Sequence, residues 1–169
     1  MNVAADTAKI RAALAAKPDG VLEAIARQEN VPLRAVLSEL PAGEATFIPG
    51  EKFDDVWTEL TSWGEILFIV HTKDIVLEAE GSLPAGTHGH GYFNVHGDSP
   101  IGGHIKASNC TEIWLIDRLF HGRRSCSVQF FNGEGEAMFK VFVRRDEARE
   151  LLGEQLAKFE VLKTAQHSE

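Results

Sequence analysis

Five histidines and one tyrosine carry most of the chemistry open to this chain. His71, His88, His90, His96 and His104 lie in one stretch of the 169-residue sequence, and Tyr92, its single tyrosine, stands among them. Imidazole nitrogen and phenolate oxygen are both donors to iron and other transition metals. In LPAGTHGHGYFNVHG, His88, His90 and Tyr92 share one parity, so an extended backbone predicts two imidazoles and a phenol projecting to the same side. Gly89 and Gly91 separate them, and glycine inside a strand marks a place where a ligand, here a flat one, approaches the backbone. The combination points to a metal or a metal-bearing ring. Taken singly, the residues have plainer readings. A His-x-His on an edge strand is usually solvated, while His71, at the end of ILFIVHT, and His104, between Gly103 and Ile105, read as core or capped histidines.

Three site chemistries compete for these groups. A cupin-like enzyme site holds iron, zinc or manganese with a Gly-rich His-x-His strand and a later Pro-x-Gly…His…Asn strand, echoed by residues 86–90 and 100–109. No Glu follows His90 closely, however, and Gly97 comes too soon after it for the strands of that barrel. A closed structural zinc site favours cysteines, and neither Cys110 nor Cys126 is near. A heme site needs one or two axial donors, apolar walls and partners for the propionates. Phe68, Phe93, Ile101, Ile105 and Phe130 can supply walls, Tyr92 a hard anionic donor for ferric iron, and His71 or His104 another donor. Lys106, Arg118 and Lys140 are candidate propionate partners, each also readable as a solvated charge.

The elements that must position these groups follow from periodicity. Residues 5–17, 21–29 and 32–40 read as helices, broken at Pro18-Asp19-Gly20 and ended by Pro41-Ala42-Gly43. VLEAIARQENVPLRAVLSEL also fits a helix-turn-helix, but residues 1–40 carry five basic and five acidic side chains. With Arg34 the only cation on its second helix, that motif has little to hold phosphates. A helical bundle packed on the rest of the molecule is expected instead. Phe53, Val56, Trp57 and Leu60 mark one face of a helix ended by Gly64. From there the period shortens. ILFIVHT and DIVLEAEG, joined at Lys73-Asp74, read as strands, as do YFNVHG, IGGHIKA, CTEIWLIDRLF, SCSVQFF and EAMFKVFV, with a hairpin at Asn132-Gly133. A last helix is predicted from Asp146 to about Lys163, with Leu151, Leu152, Leu156 and Phe159 as its buried stripe. The fold class is α+β, an antiparallel sheet flanked by N-terminal and C-terminal helices. One domain is expected over residues 1–169, with a helical part at 1–43, mainly sheet at 44–145 and the final helix at 146–163.

Composition bounds the function. With 17 Lys+Arg against 25 Asp+Glu the net charge is −8, which disfavours nucleic-acid partners, and no apolar run approaches the ~20 residues of a membrane span. Charges at Asp6, Lys9 and Arg11 interrupt any leader-like pattern, so a cytoplasmic location is expected. Cys110 and Cys126, without a Cys-x-x-Cys pair, read as buried reduced thiols.

GEKFDDVWTELTSWGEILFIVHTKDIVLEAEGSLPAGTHGHGYFN, IGGHIKASNC and FFNGEGEAMFKVFVRRDEARELL, with PDGVLEAIA near the start, together resemble the intracellular heme-utilisation carriers of the HutX or ChuX type. The resemblance spans nearly the whole chain. It implies a cytosolic heme-binding protein that accepts imported heme, passes it to a heme-degrading partner, and is not itself an enzyme. It also implies one half of the larger two-repeat heme-trafficking fold, and a homodimer that recreates the larger shape. The family's heme-binding histidines match His71, in LFIVHT, and His104, in GGHIKAS, and its tyrosine ligand matches Tyr92, in HGYFN. On chemical grounds a single phenolate from Tyr92 suits an exchangeable ferric heme, with His88 and His90 holding it by hydrogen bonds and Phe93 beside the ring. The runner-up reading is a heme-degrading enzyme, though a hard tyrosinate disfavours the ferrous state such chemistry needs.

Overall fold

The computed structural model describes the backbone of residues 3–167 and side chains from residue 6 onward. Three N-terminal helices, α1 (Val3–Ala16), α2 (Leu22–Gln28) and α3 (Leu33–Leu37), precede strand β1 (Ala45–Pro49) and helix α4 (Phe53–Thr61). Strands β2 (Glu65–His71), β3 (Val76–Ser82), β4 (Gly86–Gly89), β5 (Tyr92–Val95), β6 (Gly103–Ile105), β7 (Cys110–Phe120), β8 (Arg123–Asn132) and β9 (Ala137–Phe142) follow, and α5 (Gly153–Ala165) closes the fold. All paired strands are antiparallel, in a six-stranded sheet of order β1-β7-β8-β9-β2-β3 and a three-stranded sheet β4-β5-β6. The α+β architecture expected from the sequence is therefore present.

Alternation along the long strands sorts side chains onto two faces. One face of the large sheet carries Ile66, Ile113, Leu115, Val128, Phe130 and Val141, all essentially without exposure, beneath α4 and α5. Phe53 and Trp57 of α4 meet Phe93, Phe130 and Phe139 in an aromatic cluster with ring centroids 4.3–6.3 Å apart. The opposite face is covered at one end by α1 to α3, whose Leu14, Leu22, Ile25, Leu33, Val36 and Leu37 pack with Ile116 and Phe131. The helix that would enter a DNA groove thus spends its apolar face on the sheet.

Three local readings differ from the structure. Residues 45–49, given no element from the sequence, form the edge strand β1 against β7, where Phe47 meets Trp114 edge-on at 5.4 Å. Alternation over five residues is too short a pattern to stand out between two loops. The last helix starts at Gly153 rather than Asp146, because Asp146 closes a turn, with its N–H donating to Glu150 O and its carboxylate accepting from Glu150 N–H. Gln155, not a leucine, is the buried residue of its first turns. Its amide donates to Trp63 O and Glu65 O and accepts from Arg144 N–H, clamping α5 to the start of β2.

Candidate functional site

The largest departure lies in LPAGTHGHGYFNVHG. Instead of one extended run, residues 86–95 fold back as the β4–β5 hairpin, with Gly89 opposite Tyr92 and His88 opposite Phe93. His90 (φ 53°) and Gly91 (φ 81°) form its two-residue turn, both in the left-handed conformation that suits the twist of a hairpin. Gly91 is thus a turn glycine, and Gly86 serves packing, since a Cβ there would lie 2.1 Å from the Phe93 ring. Cross-strand partners share a face and successive residues alternate, so His88 and Phe93 point to one side and Tyr92 to the other.

His88 accordingly does not hold the phenolate. Its Nε2 lies 2.8 and 2.9 Å from the two oxygens of Asp54 on α4, and its ring packs on Phe93. His90 occupies the turn. Phe93, 4% exposed, is an anchor in the aromatic core rather than a wall of an open site.

On the other side of the small sheet the groups do converge. His104 of β6 lies opposite Asn94 of β5, which places Tyr92, Asn94 and His104 on one face. The Tyr92 and His104 ring centroids are 5.9 Å apart, His96 adds an imidazole 5.6 Å from His104, and Lys106 Nζ stands 5.4 Å from the centre of the Tyr92 ring. Tyr92 is 40% exposed. Asn94 sets the chemistry of this group. Its amide nitrogen donates to Thr87 O and Gly89 O, so its oxygen faces His104 and accepts from Nδ1–H at 2.6 Å. A neutral imidazole donating through Nδ1 leaves the Nε2 lone pair as its metal-binding atom. Asn94 was missed in the sequence, and His96, counted there among the five histidines, was given no role, although the parity of both with Tyr92 was legible.

Behind this face, on the side to which Phe93, Val95 and Ile105 point, a cavity of about 340 Å³ opens between the two sheets. Phe68, Ile101 and Ile105 line it as expected of a wall, with Met138 and Trp57, while His104 and Lys106 stand at its rim. Phe130 is fully buried in the core instead.

His71 is not part of this group. Leu67, Ile69 and His71 alternate with Phe68 and Val70, so His71 projects from the opposite face of the large sheet into a second cleft, of about 540 Å³, under α2. Its Nδ1 lies 3.3 Å from Glu23 Oε1, and Glu23 also pairs with Lys140. Burial alone would raise the Glu23 carboxyl. The Lys140 ammonium, by charge and hydrogen bond, and His71 more weakly, outweigh it and hold the carboxyl below its ordinary range. Arg118 lies in the same cleft, its guanidinium donating to Gly20 O at 2.8 Å and Pro18 O at 2.5 Å. Of the three cations considered as carboxylate partners, only Lys106 therefore stands beside Tyr92.

Both cysteines are free and buried, and burial pushes the Cys110 thiol up to about 11 and that of Cys126 to about 12, which leaves them unreactive. Among the described residues no three His, Cys, Asp or Glu side chains gather as a metal-holding group, so the cupin-like arrangement has no counterpart there.

Comparison with known proteins decides the lineage. The sequence model of the family described as Haem utilisation ChuX/HutX matches residues 46–162. The chain belongs to the ChuX/HutX family. It is 32% identical, over 82% of its length and 72% of the relative's, to the intracellular heme transport protein HutX of Vibrio cholerae. A solved protein from Agrobacterium tumefaciens is 57% identical, with a TM-score of 0.88 over 95% of this chain and 91% of that one. The structure of the heme-binding protein ChuX is 45% identical, with a TM-score of 0.85 over 94% of this chain and 99% of that one. At the level of fold alone, the heme-binding protein PhuS from Pseudomonas aeruginosa matches 92% of this chain with 45% of its own length, at 16% identity and a TM-score of 0.71. One ChuX/HutX chain thus corresponds to half of that larger fold, as the resemblance implied. Residues 1–45, which include α1 to α3, lie outside the family match.

Proposed function

We propose that this ChuX/HutX-family chain binds ferric heme in the cytoplasm and carries it to a heme-degrading partner, without degrading it. The observation that carries the reading is the exposed face formed by Tyr92, Asn94 and His104, in a family described by heme utilisation. Two donors in ring contact on one sheet face approach a macrocycle from the same side, so they do not act as a trans pair. Tyr92 takes the iron as a phenolate, and His104, oriented by Asn94, lies beside it, ready to bind as heme is handed over. Lys106, 5.4 Å from the centre of the Tyr92 ring, is placed for a propionate. A single strong bond, with the other side of the iron weakly held, suits a cargo that must leave. His71 reaches no iron held by Tyr92 in the same chain. Its part in heme handling lies with a second subunit of the homodimer or with transfer.

Ferric heme titration followed by absorption tests this. Wild type is expected to saturate near one heme per chain with a high-spin charge-transfer band, and Tyr92→Phe to lose that band with at least a tenfold loss of affinity. Heme that adds without saturating, or a Tyr92→Phe spectrum unchanged while His104→Ala abolishes binding, sinks the assignment. Adding a reductant in air to the heme complex is expected to leave the Soret band in place. Bleaching to a defined linear tetrapyrrole would turn the carrier into an enzyme.

A further inference from the structure

Glu23 stands in the first turn of α2 and reaches down to the large sheet. On the floor beneath it Ile69 of β2 lies opposite Lys140 of β9, and His71 follows two residues on, on the same face of β2. One carboxylate oxygen takes both contacts. Glu23 Oε1 accepts from Lys140 Nζ and lies 3.3 Å from His71 Nδ1. The Lys140 side chain is 6% exposed and those of Glu23 and His71 are each 20% exposed, so water screens the three groups weakly. The entry to α2 is itself fixed, because Arg118 donates to Pro18 O and Gly20 O just ahead of that helix. A neutral imidazole carries its proton on one nitrogen and a lone pair on the other. A carboxylate oxygen beside Nδ1 repels a lone pair there and attracts an N–H, so the proton belongs on Nδ1. Nε2 is then the bare nitrogen, and among the described residues it has no hydrogen-bond partner.

We propose that Glu23 is a positioning residue for His71, fixing the tautomer and ring orientation in which Nε2 is presented to heme iron. This rests on the heme-carrier reading, in which His71 acts with a second subunit or in transfer. A carboxylate behind a metal-bound imidazole raises its basicity and favours ferric iron. Asn94 orients His104 in the same way, but through a neutral amide oxygen. The chain therefore holds two histidines of unequal strength, and the carboxylate makes His71 the stronger donor to ferric iron. That difference gives heme a direction in which to move between them. Because α2 lies outside the residues matched by the family model, the control comes from the N-terminal helices rather than from the sheet that carries His71. Lys140, paired with Glu23, keeps the carboxylate charged and in place rather than meeting a propionate.

The first test needs no iron. Heteronuclear NMR of the histidine rings in the heme-free full chain reads which nitrogen bears the proton. Wild-type His71, in its neutral form, is expected to show the Nδ1–H tautomer. The double variant Glu23→Leu/Lys140→Met removes both charges together, so no ammonium is left buried alone. In it His71 is expected to revert toward the Nε2–H form that free histidine prefers. Ferric heme is then titrated in a Tyr92→Phe background, where histidines must hold the iron. There the double substitution is expected to weaken binding about tenfold, the scale of losing a group that orients a metal-bound histidine, and to raise the reduction potential of the bound heme. With His71→Ala also present, it is expected to change neither. The proposal is overturned if wild-type His71 carries its proton on Nε2, or if the double substitution weakens heme equally with and without His71, which would leave Glu23 a purely structural partner of Lys140. A wild type that shows the Nδ1–H tautomer but takes up no heme saturably strikes the carrier reading and leaves the hold of Glu23 on His71 standing.

Discussion

The two sheets divide labour by strand length. In the large sheet β7 runs for 11 residues and β8 for 10, both faces are largely covered, and side chains such as Ile66, Ile113 and Phe130 have no exposure. In the small sheet the strands run for 3 or 4 residues, and one face presents Tyr92, His96 and His104 to solvent. A sheet that short buries too little to stand alone. It is pinned through its other face, where Phe93 fills the gap over Gly86 and enters the aromatic cluster of α4. Chemistry sits on the element that contributes least to the core, so donors can be exposed without weakening the scaffold.

Adjacent residues of β5 sharpen this contrast most. Phe93→Ala is expected to cost about 3–5 kcal/mol in denaturant unfolding, the range for deleting a well-packed core aromatic. Tyr92→Ala, on the opposite face of the same strand, is expected to stay within about 0.5 kcal/mol. A Tyr92 variant that destabilises as strongly as the Phe93 variant would break the division between anchor and ligand face. Next in size, Gln155→Ala is expected to cost about 2 kcal/mol. It strips partners from three backbone groups, the buried carbonyl of Trp63, the carbonyl of Glu65 and the N–H of Arg144. That loss falls on the large-sheet side, so ferric heme affinity should survive it below the melting temperature.

The scaffold was far more legible in the sequence than the site. Long alternating runs such as CTEIWLIDRLF and the Phe53, Val56, Trp57 and Leu60 stripe announce their elements because many residues repeat one period. The donor segment does not, since two positive-φ residues at His90 and Gly91 reverse the chain within what reads as one extended run. A hairpin turn there inverts the parity of everything upstream of it, moving His88 to Asp54 and away from Tyr92. His71 and Lys140 were hard to place for another reason. The partner that positions both, Glu23 of α2, is more than forty residues away in sequence. The heme reading of the residues and the family resemblance both joined His71 with Tyr92 and His104, and within one chain the structure separates the first from the other two.

Asn94 tests whether the small sheet orients its donors or merely displays them. Asn94→Ala removes the acceptor of His104 Nδ1–H and two bonds across the β4–β5 hairpin. The expected stability cost is about 1 kcal/mol, with ferric heme binding weakened about tenfold, the lower end of the effect of losing a residue that orients a ligand. Unchanged heme affinity would mean that His104 takes no part.

The smallest expected effect lies in the large sheet and follows pH. Asp117 of β7 accepts from Arg124 of β8 at 2.8 and 2.9 Å and from Lys163 of α5 at 3.2 Å. Its carboxyl is held down to about 2, first by the Arg124 hydrogen bonds, against an opposing push from burial, with Lys163 adding to the lowering. A carboxyl depressed in the folded state contributes stability that is fully present above its unfolded value, near 4, and is lost as pH falls through about 2. Because Arg124 is 43% exposed, solvent screens the pair and the contribution is about 1 kcal/mol rather than the full shift. Between pH 4 and pH 2, wild type should therefore lose about 1 kcal/mol more than Asp117→Asn in denaturant midpoints measured side by side. Equal losses would show that the Asp117 ion pairs contribute nothing to holding α5 on β7. The Tyr92 face, which carries no carboxylate among its donors, should add nothing to that acid slope.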